Sequence, residues 1–117
     1  MLWSTLKTNT KPHSLKTDLQ QNPIGVFDSG LGGLTVLKSL QDKLPHESFI
    51  YFGDTAHVPY GTKSEKNVKY YSEKITEFLI EKGVKLIVIA CNTASSLASD
   101  HLRGLFDIPI IGVIKPS

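Results

Sequence analysis

The chain has little sulfur, with one cysteine and one methionine in 117 residues. A single cysteine, Cys91, excludes an internal disulfide and fits a reducing compartment, so a cytoplasmic location is expected. Paired Cys/His spacings of a zinc site are missing as well, and no metal is expected. An excess of charge of one sign is also missing: 13 Lys and Arg face 11 Asp and Glu, the formal net charge is +2 and the lysines are scattered. Neither nucleic acid nor an acidic membrane surface is implied as a partner. No apolar run approaches the roughly 18 residues of a membrane span. The first 22 residues are polar, rich in Lys, Thr and Gln, and carry no signal-peptide core. Residues 1–22 read as a flexible polar leader, with Leu2 and Trp3 as docking candidates.

What is present is a regular alternation from Ile24 onward, which makes residues 23–117 a single α/β domain. Ile24–Phe27 reads as a strand, followed by the glycine-rich turn Asp28–Gly33. A helix is expected from about Leu34 to Leu44, with Leu34, Leu37, Leu40 and Leu44 on one face. Ser48–Phe52 is the second strand, leading into the loop Gly53–Gly61. Ser64 is a plausible N-cap for a helix carrying Val68, Tyr71, Ile75, Phe78 and Leu79, closed by Gly83. Val84–Cys91 has the apolar, β-branched look of a strand covered on both faces. Ala94, Leu97, Ala98, Leu102 and Leu105 then mark a third helix, and Ile108–Ile114 a fourth strand. Strand and helix in alternation imply a parallel sheet with right-handed crossovers and helices on both faces. The flavodoxin-like order 2-1-3-4 is expected, with a Rossmann-like order as the alternative. The last strand is followed by no covering helix, so the domain reads as incomplete.

Three loops should gather at the carboxyl edge of such a sheet, where open α/β folds place ligands. They carry Asp28 and Ser29, then Asp54 to Gly61, then Cys91, Asn92 and Thr93. An unperturbed thiol is mostly protonated at neutral pH, and the positive end of a helix favours its thiolate. Asn92 and Thr93 could donate to a substrate carboxylate there, while Asp28 could hold an ammonium group or tune the thiol. Each element has a plainer reading: a small core hydrophobe for Cys91, a helix cap for Asn92–Thr93, a turn acceptor for Asp28 and turn packing for Tyr60. Their coincidence at one edge favours a site. His57 reads as loop material and His101 as a helix-face residue. The dinucleotide fingerprint fails at Thr35, a P-loop is absent, and a Cys-x5-Arg phosphatase would need arginine where Leu97 stands.

Three motifs together resemble the glutamate racemase family. Gly25–Thr35 resembles its opening signature, Tyr51–Thr55 with Val58–Ser64 its second, and Ile89–Ser95 its third, around a catalytic cysteine. Pro109–Ile114 is similar to the strand that follows. The resemblance implies a cofactor-independent amino-acid racemase, an isomerase that interconverts L- and D-glutamate and supplies D-glutamate for peptidoglycan, cell-wall biogenesis and cell shape. It implies two cysteines acting from opposite faces of the substrate α-carbon. By position, Cys91 would be the first acid/base with Asp28 assisting, and Asp28, Ser29, Tyr60, Gly61, Asn92 and Thr93 would bind substrate. The second cysteine of the family lies in a Gly-Cys-Thr-His segment of a second domain, and these residues contain no such segment. A chain lacking that C-terminal racemase domain should expose apolar surface and tend to self-associate. The alternatives are a catalytically inactive fragment and a related aspartate racemase.

Overall fold

A computed structural model describes residues 2–7, 21–29, 33–57 and 60–113. Among these residues, five strands and three helices follow in the order β1 (Leu2–Lys7), β2 (Ile24–Asp28), α1 (Gly33–Lys43), β3 (Ser48–Gly53), α2 (Glu65–Glu81), β4 (Leu86–Ile89), α3 (Asn92–Leu105) and β5 (Ile110–Gly112). A 3₁₀ turn at Tyr60–Thr62 lies between β3 and α2.

The sheet order is β1-β3-β2-β4-β5. Counted from β2, the parallel strands have the expected 2-1-3-4 order, with β2 flanked in parallel by β3 and β4 and β5 parallel to β4. Parallel pairing sends the carboxyl ends of β2, β3 and β4 to one edge, which is what assembles the loops.

The amino end adds a strand to the sheet. Within the region 1–22 read as a flexible leader, Leu2–Lys7 forms an edge strand antiparallel to β3, with Leu2 opposite Gly53 and Lys7 opposite Ser48. The open edge of β3 offers a row of backbone donors and acceptors, which a short extended segment satisfies with no need of a long apolar run. Residues 8–20 lie outside the described residues, as do Gly30–Gly32 of the glycine-rich turn.

Two apolar layers sandwich the sheet. On one face Phe27, Phe52, Ile87 and Ile89 pack with Val68, Ile75 and Leu79 of α2 and with Ala94, Ala98 and Leu102 of α3. On the other, Val26, Phe49, Tyr51 and Val88 pack against Leu37 of α1, flanked by Val36 and Leu40. Strand residues alternate between the layers, as the two-residue pleat requires. The α1 face is narrower than expected: Leu37 is buried, but Leu34 and Leu44 are exposed. Leu34 and Leu37 share a helix stripe, yet only the part of α1 lying over the sheet finds a partner.

Local signals set the helix ends. The Ser64 hydroxyl accepts from the Asn67 N–H at 3.1 Å, which starts α2 as read from sequence. Gly83, at φ 85°, turns the chain after α2 in a conformation that other residues enter only with strain. Close packing also shapes α3 against β5: a Cβ on Gly112 would sit 2.2 Å from Ser95 Oγ and 2.8 Å from Ser99 Oγ. The strand expected over 84–91 is shorter, at Leu86–Ile89, because Ala90 and Cys91 already turn toward α3.

Candidate functional site at the carboxyl edge

The ladder continues slightly past the strands. Asp54 N–H donates to the Asp28 carbonyl at 3.0 Å, and Ala90 N–H to the Phe27 carbonyl at 2.7 Å. These bonds tie the starts of all three loops to β2, so Asp28 stands between Asp54 on one side and the Cys91 turn on the other.

Cys91 is the N-cap of α3, with extended φ/ψ of −93° and 128°. Its sulfur accepts from the Ala94 N–H at 3.5 Å, and its carbonyl from the Ser95 N–H at 2.8 Å. A thiol in the place usually taken by a serine or aspartate oxygen is aimed at the free amides of the first helical turn. That bond strengthens as negative charge builds on sulfur. Cys91 is a free cysteine with only 7% of its surface exposed, so the plainer reading of a small buried side chain describes its packing but not its cap geometry.

Of the other residues read from sequence, Asp28 and Ser29 are buried at the end of β2. Asn92 is exposed and Thr93 half-buried on the first turn of α3, beside the cap. Tyr60 and Gly61 lie in the 3₁₀ turn. The structure therefore brings Asp28, Ser29, Cys91, Asn92 and Thr93 to one edge. Tyr60 departs from expectation in one respect. Its side chain is buried and its hydroxyl donates to Asp54 Oδ2 at 2.7 Å, so its phenolic hydrogen is committed inside the protein. What the Tyr60–Gly61 turn can offer a ligand is main chain.

Two acidic side chains anchor the edge. Asp54, 1% exposed, takes the Tyr60 hydroxyl and also lies 2.8 Å and 2.9 Å from His57 Nδ1 through its two oxygens. His57 stacks on Tyr71 of α2, with centroids 3.8 Å apart. His57 thus belongs to a knot that holds the loop, where sequence showed only loop material. On the opposite face of the sheet Asp28 Oδ1 accepts from the Tyr51 hydroxyl at 2.9 Å. Burial, reinforced by these carboxylates, holds both phenols neutral well above the usual tyrosine range. Asp54 and Tyr51 were the residues missed as anchors. The i, i+3 and i, i+6 spacing of Asp54, His57 and Tyr60 was visible, but nothing in it specified three side chains converging.

His101 lies away from this edge and pairs through Nε2 with Glu73 Oε1 at 2.6 Å, joining α3 to α2 as a helix-face residue should. No group of His, Cys, Asp and Glu that could hold a metal occurs among the described residues. No helix among the described residues is long and apolar enough to cross a membrane.

The frame is a doubly wound α/β sheet, parallel except for its β1 edge, with a free cysteine capping the helix after β4. The profile of the Asp/Glu/Hydantoin racemase family matches residues 24–117, and the chain belongs to that family. Within it, the chain is similar to glutamate racemases. It is 57% identical over 93 residues to one from Geobacter metallireducens, spanning 80% of this chain and 34% of that protein. The crystal structure of glutamate racemase from Thermus thermophilus in complex with beta-chloro-D-alanine matches with a TM-score of 0.80 and 54% identity, over 86% of this chain and 39% of that one. Glutamate racemase from Francisella tularensis in complex with D-glutamate matches with a TM-score of 0.75 and 50% identity, over 80% of this chain and 36% of that one. The chain spans about a third of the length of the curated relatives it matches.

Proposed function

We propose that this chain carries the first half-site of a glutamate racemase, with Cys91 as its acid/base. The observation that supports this most directly is the cap geometry: Cys91 Sγ sits on the amide-bearing end of α3, flanked in sequence by Asn92 and Thr93. In the forward step the Cys91 thiolate takes the α-proton of bound glutamate. The Cα–H bond breaks, an S–H bond forms, and the electron pair remains on Cα, delocalised into the substrate carboxylate. An α-proton is a weak acid, so the developing negative charge must be met by fixed donors. The amides at the start of α3 and the side chains of Ser29, Asn92 and Thr93 are the donors at hand, and Asp28 assists the proton transfer or holds the substrate ammonium.

Inversion requires a proton delivered to the opposite face of Cα, which Cys91 cannot do. The proposed whole reaction therefore needs a second acid from a second domain, the partner this half-site implies. Exposed Leu34 at the start of α1 and Ile111 on β5, at 60% and 52%, are apolar surface consistent with such a partner or with a second copy of the chain. Glutamate is favoured over aspartate by the likeness to glutamate racemases at about half identity.

The test is α-proton exchange followed by NMR, incubating the purified chain separately with D- and L-glutamate in D2O. Exchange from one enantiomer without interconversion is the expected result. An absence of exchange with either would leave an inactive fragment as the correct reading, and faster exchange with aspartate would replace the substrate.

A further inference from the structure

We infer that Tyr51 and Gly53 are positioning residues that fix the orientation of the Asp28 carboxylate, an inference that builds on the racemase reading above. The β2–β3 register places Val26 beside Tyr51 and Asp28 beside Gly53. Tyr51 therefore reaches diagonally along the sheet face to Asp28, within the range of a long side chain. Its hydroxyl donates to Asp28 Oδ1 at 2.9 Å, with Tyr51 2% and Asp28 0% exposed.

The ring runs directly over Gly53. A Cβ there would lie 3.0 Å from Tyr51 Oη, 3.3 Å from Tyr51 Cε2 and 3.4 Å from Asp28 Oδ1. All three contacts fall on the atoms of the pair or the ring edge carrying it. The missing side chain at 53 is thus the space in which the bond is made. Below, the ring packs in the layer with Phe49, Leu37 and Val88, so its hydroxyl is held by a rigid body with few rotamers. Burial and the neighbouring carboxylate keep Tyr51 protonated throughout the physiological range, so it is a permanent donor.

A carboxylate with one oxygen anchored in this way cannot rotate freely about its terminal bond, so Tyr51 constrains its orientation at the end of β2. A core that needed only volume would be served by phenylalanine at 51, without burying a hydroxyl against a charge.

The full chain with ¹³C-labelled aspartate carboxyls tests this, the Asp28 resonance being assigned by its loss in Asp28→Asn. Tyr51→Phe keeps the ring and should move the Asp28 carboxyl resonance. It should also lower α-proton exchange from glutamate roughly ten-fold or more, with half-saturation within about two-fold of wild type. Gly53→Ala should move the same resonance, and should add less when combined with Tyr51→Phe, because the nearest atom it presses on, Tyr51 Oη at 3.0 Å, is gone. An Asp28 resonance unmoved by Tyr51→Phe overturns the inference, as does exchange by Tyr51→Phe at the wild-type rate. A wild-type chain without exchange overturns the racemase reading of the lone chain, and the carboxyl resonance then decides the positioning by itself.

Discussion

Removing one oxygen from Tyr60 should destabilise the whole chain measurably. Tyr60→Phe leaves the buried ring in place and deletes only the donor that lies 2.7 Å from Asp54 Oδ2. A hydrogen bond to a buried charged group is worth about 1.5–3 kcal/mol. Asp54 would not be abandoned, because His57 Nδ1 remains 2.8–2.9 Å from its two oxygens. That residual partner places the cost toward the lower part of the range, at about 2 kcal/mol. A domain of this size has about 5–15 kcal/mol in total, so the midpoint of urea unfolding should fall visibly with an unchanged slope. Thermal unfolding should drop by about 8 °C, at roughly 4 °C per kcal/mol for a chain of this length. The companion variant Asp54→Asn and the double variant complete a cycle, whose coupling should exceed about 1 kcal/mol. A Tyr60→Phe chain within about 0.5 kcal/mol of wild type, or a cycle with no coupling, would refute the claim that this bond holds the loop.

Cys91→Ser should keep α3 intact, since serine is a better N-cap than cysteine, yet lose all α-proton exchange; surviving exchange would remove Cys91 from the chemistry. Stability should be lost as pH rises above about 10. There the unfolded tyrosines release protons that folded Tyr51 and Tyr60 keep, so the unfolded state binds fewer protons and is favoured. Urea midpoints measured from pH 8 to 11 check this, and a Tyr51→Phe/Tyr60→Phe chain should show a shallower fall; equal slopes would contradict it. Gly112→Ala should cost about 1–3 kcal/mol by overpacking, because its Cβ would fall 2.2 Å from Ser95 Oγ. Ser95→Ala in the same chain should restore part of that loss in chemical denaturation, whereas additive losses would show that the contact is relieved elsewhere.

Much of the layout was legible from local signals. Helix α2 was readable at both ends because its cap is a hydroxyl three residues from the amide it accepts, and its stop is a glycine at positive φ. The parallel sheet followed from strands and helices in alternation, which left a Rossmann-like order open beside the flavodoxin-like one that the structure has. The position of Cys91 at a strand-to-helix turn followed from an apolar run meeting a helical period. Strand β1 was not legible, because an edge strand can rest on backbone pairing with β3, which leaves little mark on side-chain pattern.

The sequence by itself determined which residues stand at the carboxyl edge: Asp28, Ser29, Cys91, Asn92 and Thr93 each sit within two residues of a strand or helix end, and local periodicity locates those ends. Only the tertiary structure decided what they touch. Tyr51 reaches Asp28 across 23 positions of chain, and His57, Tyr60 and Tyr71 meet around Asp54 because α2 crosses back over the sheet. Such contacts depend on strand register and helix packing, which place distant residues side by side, and short-range spacing carries no trace of either.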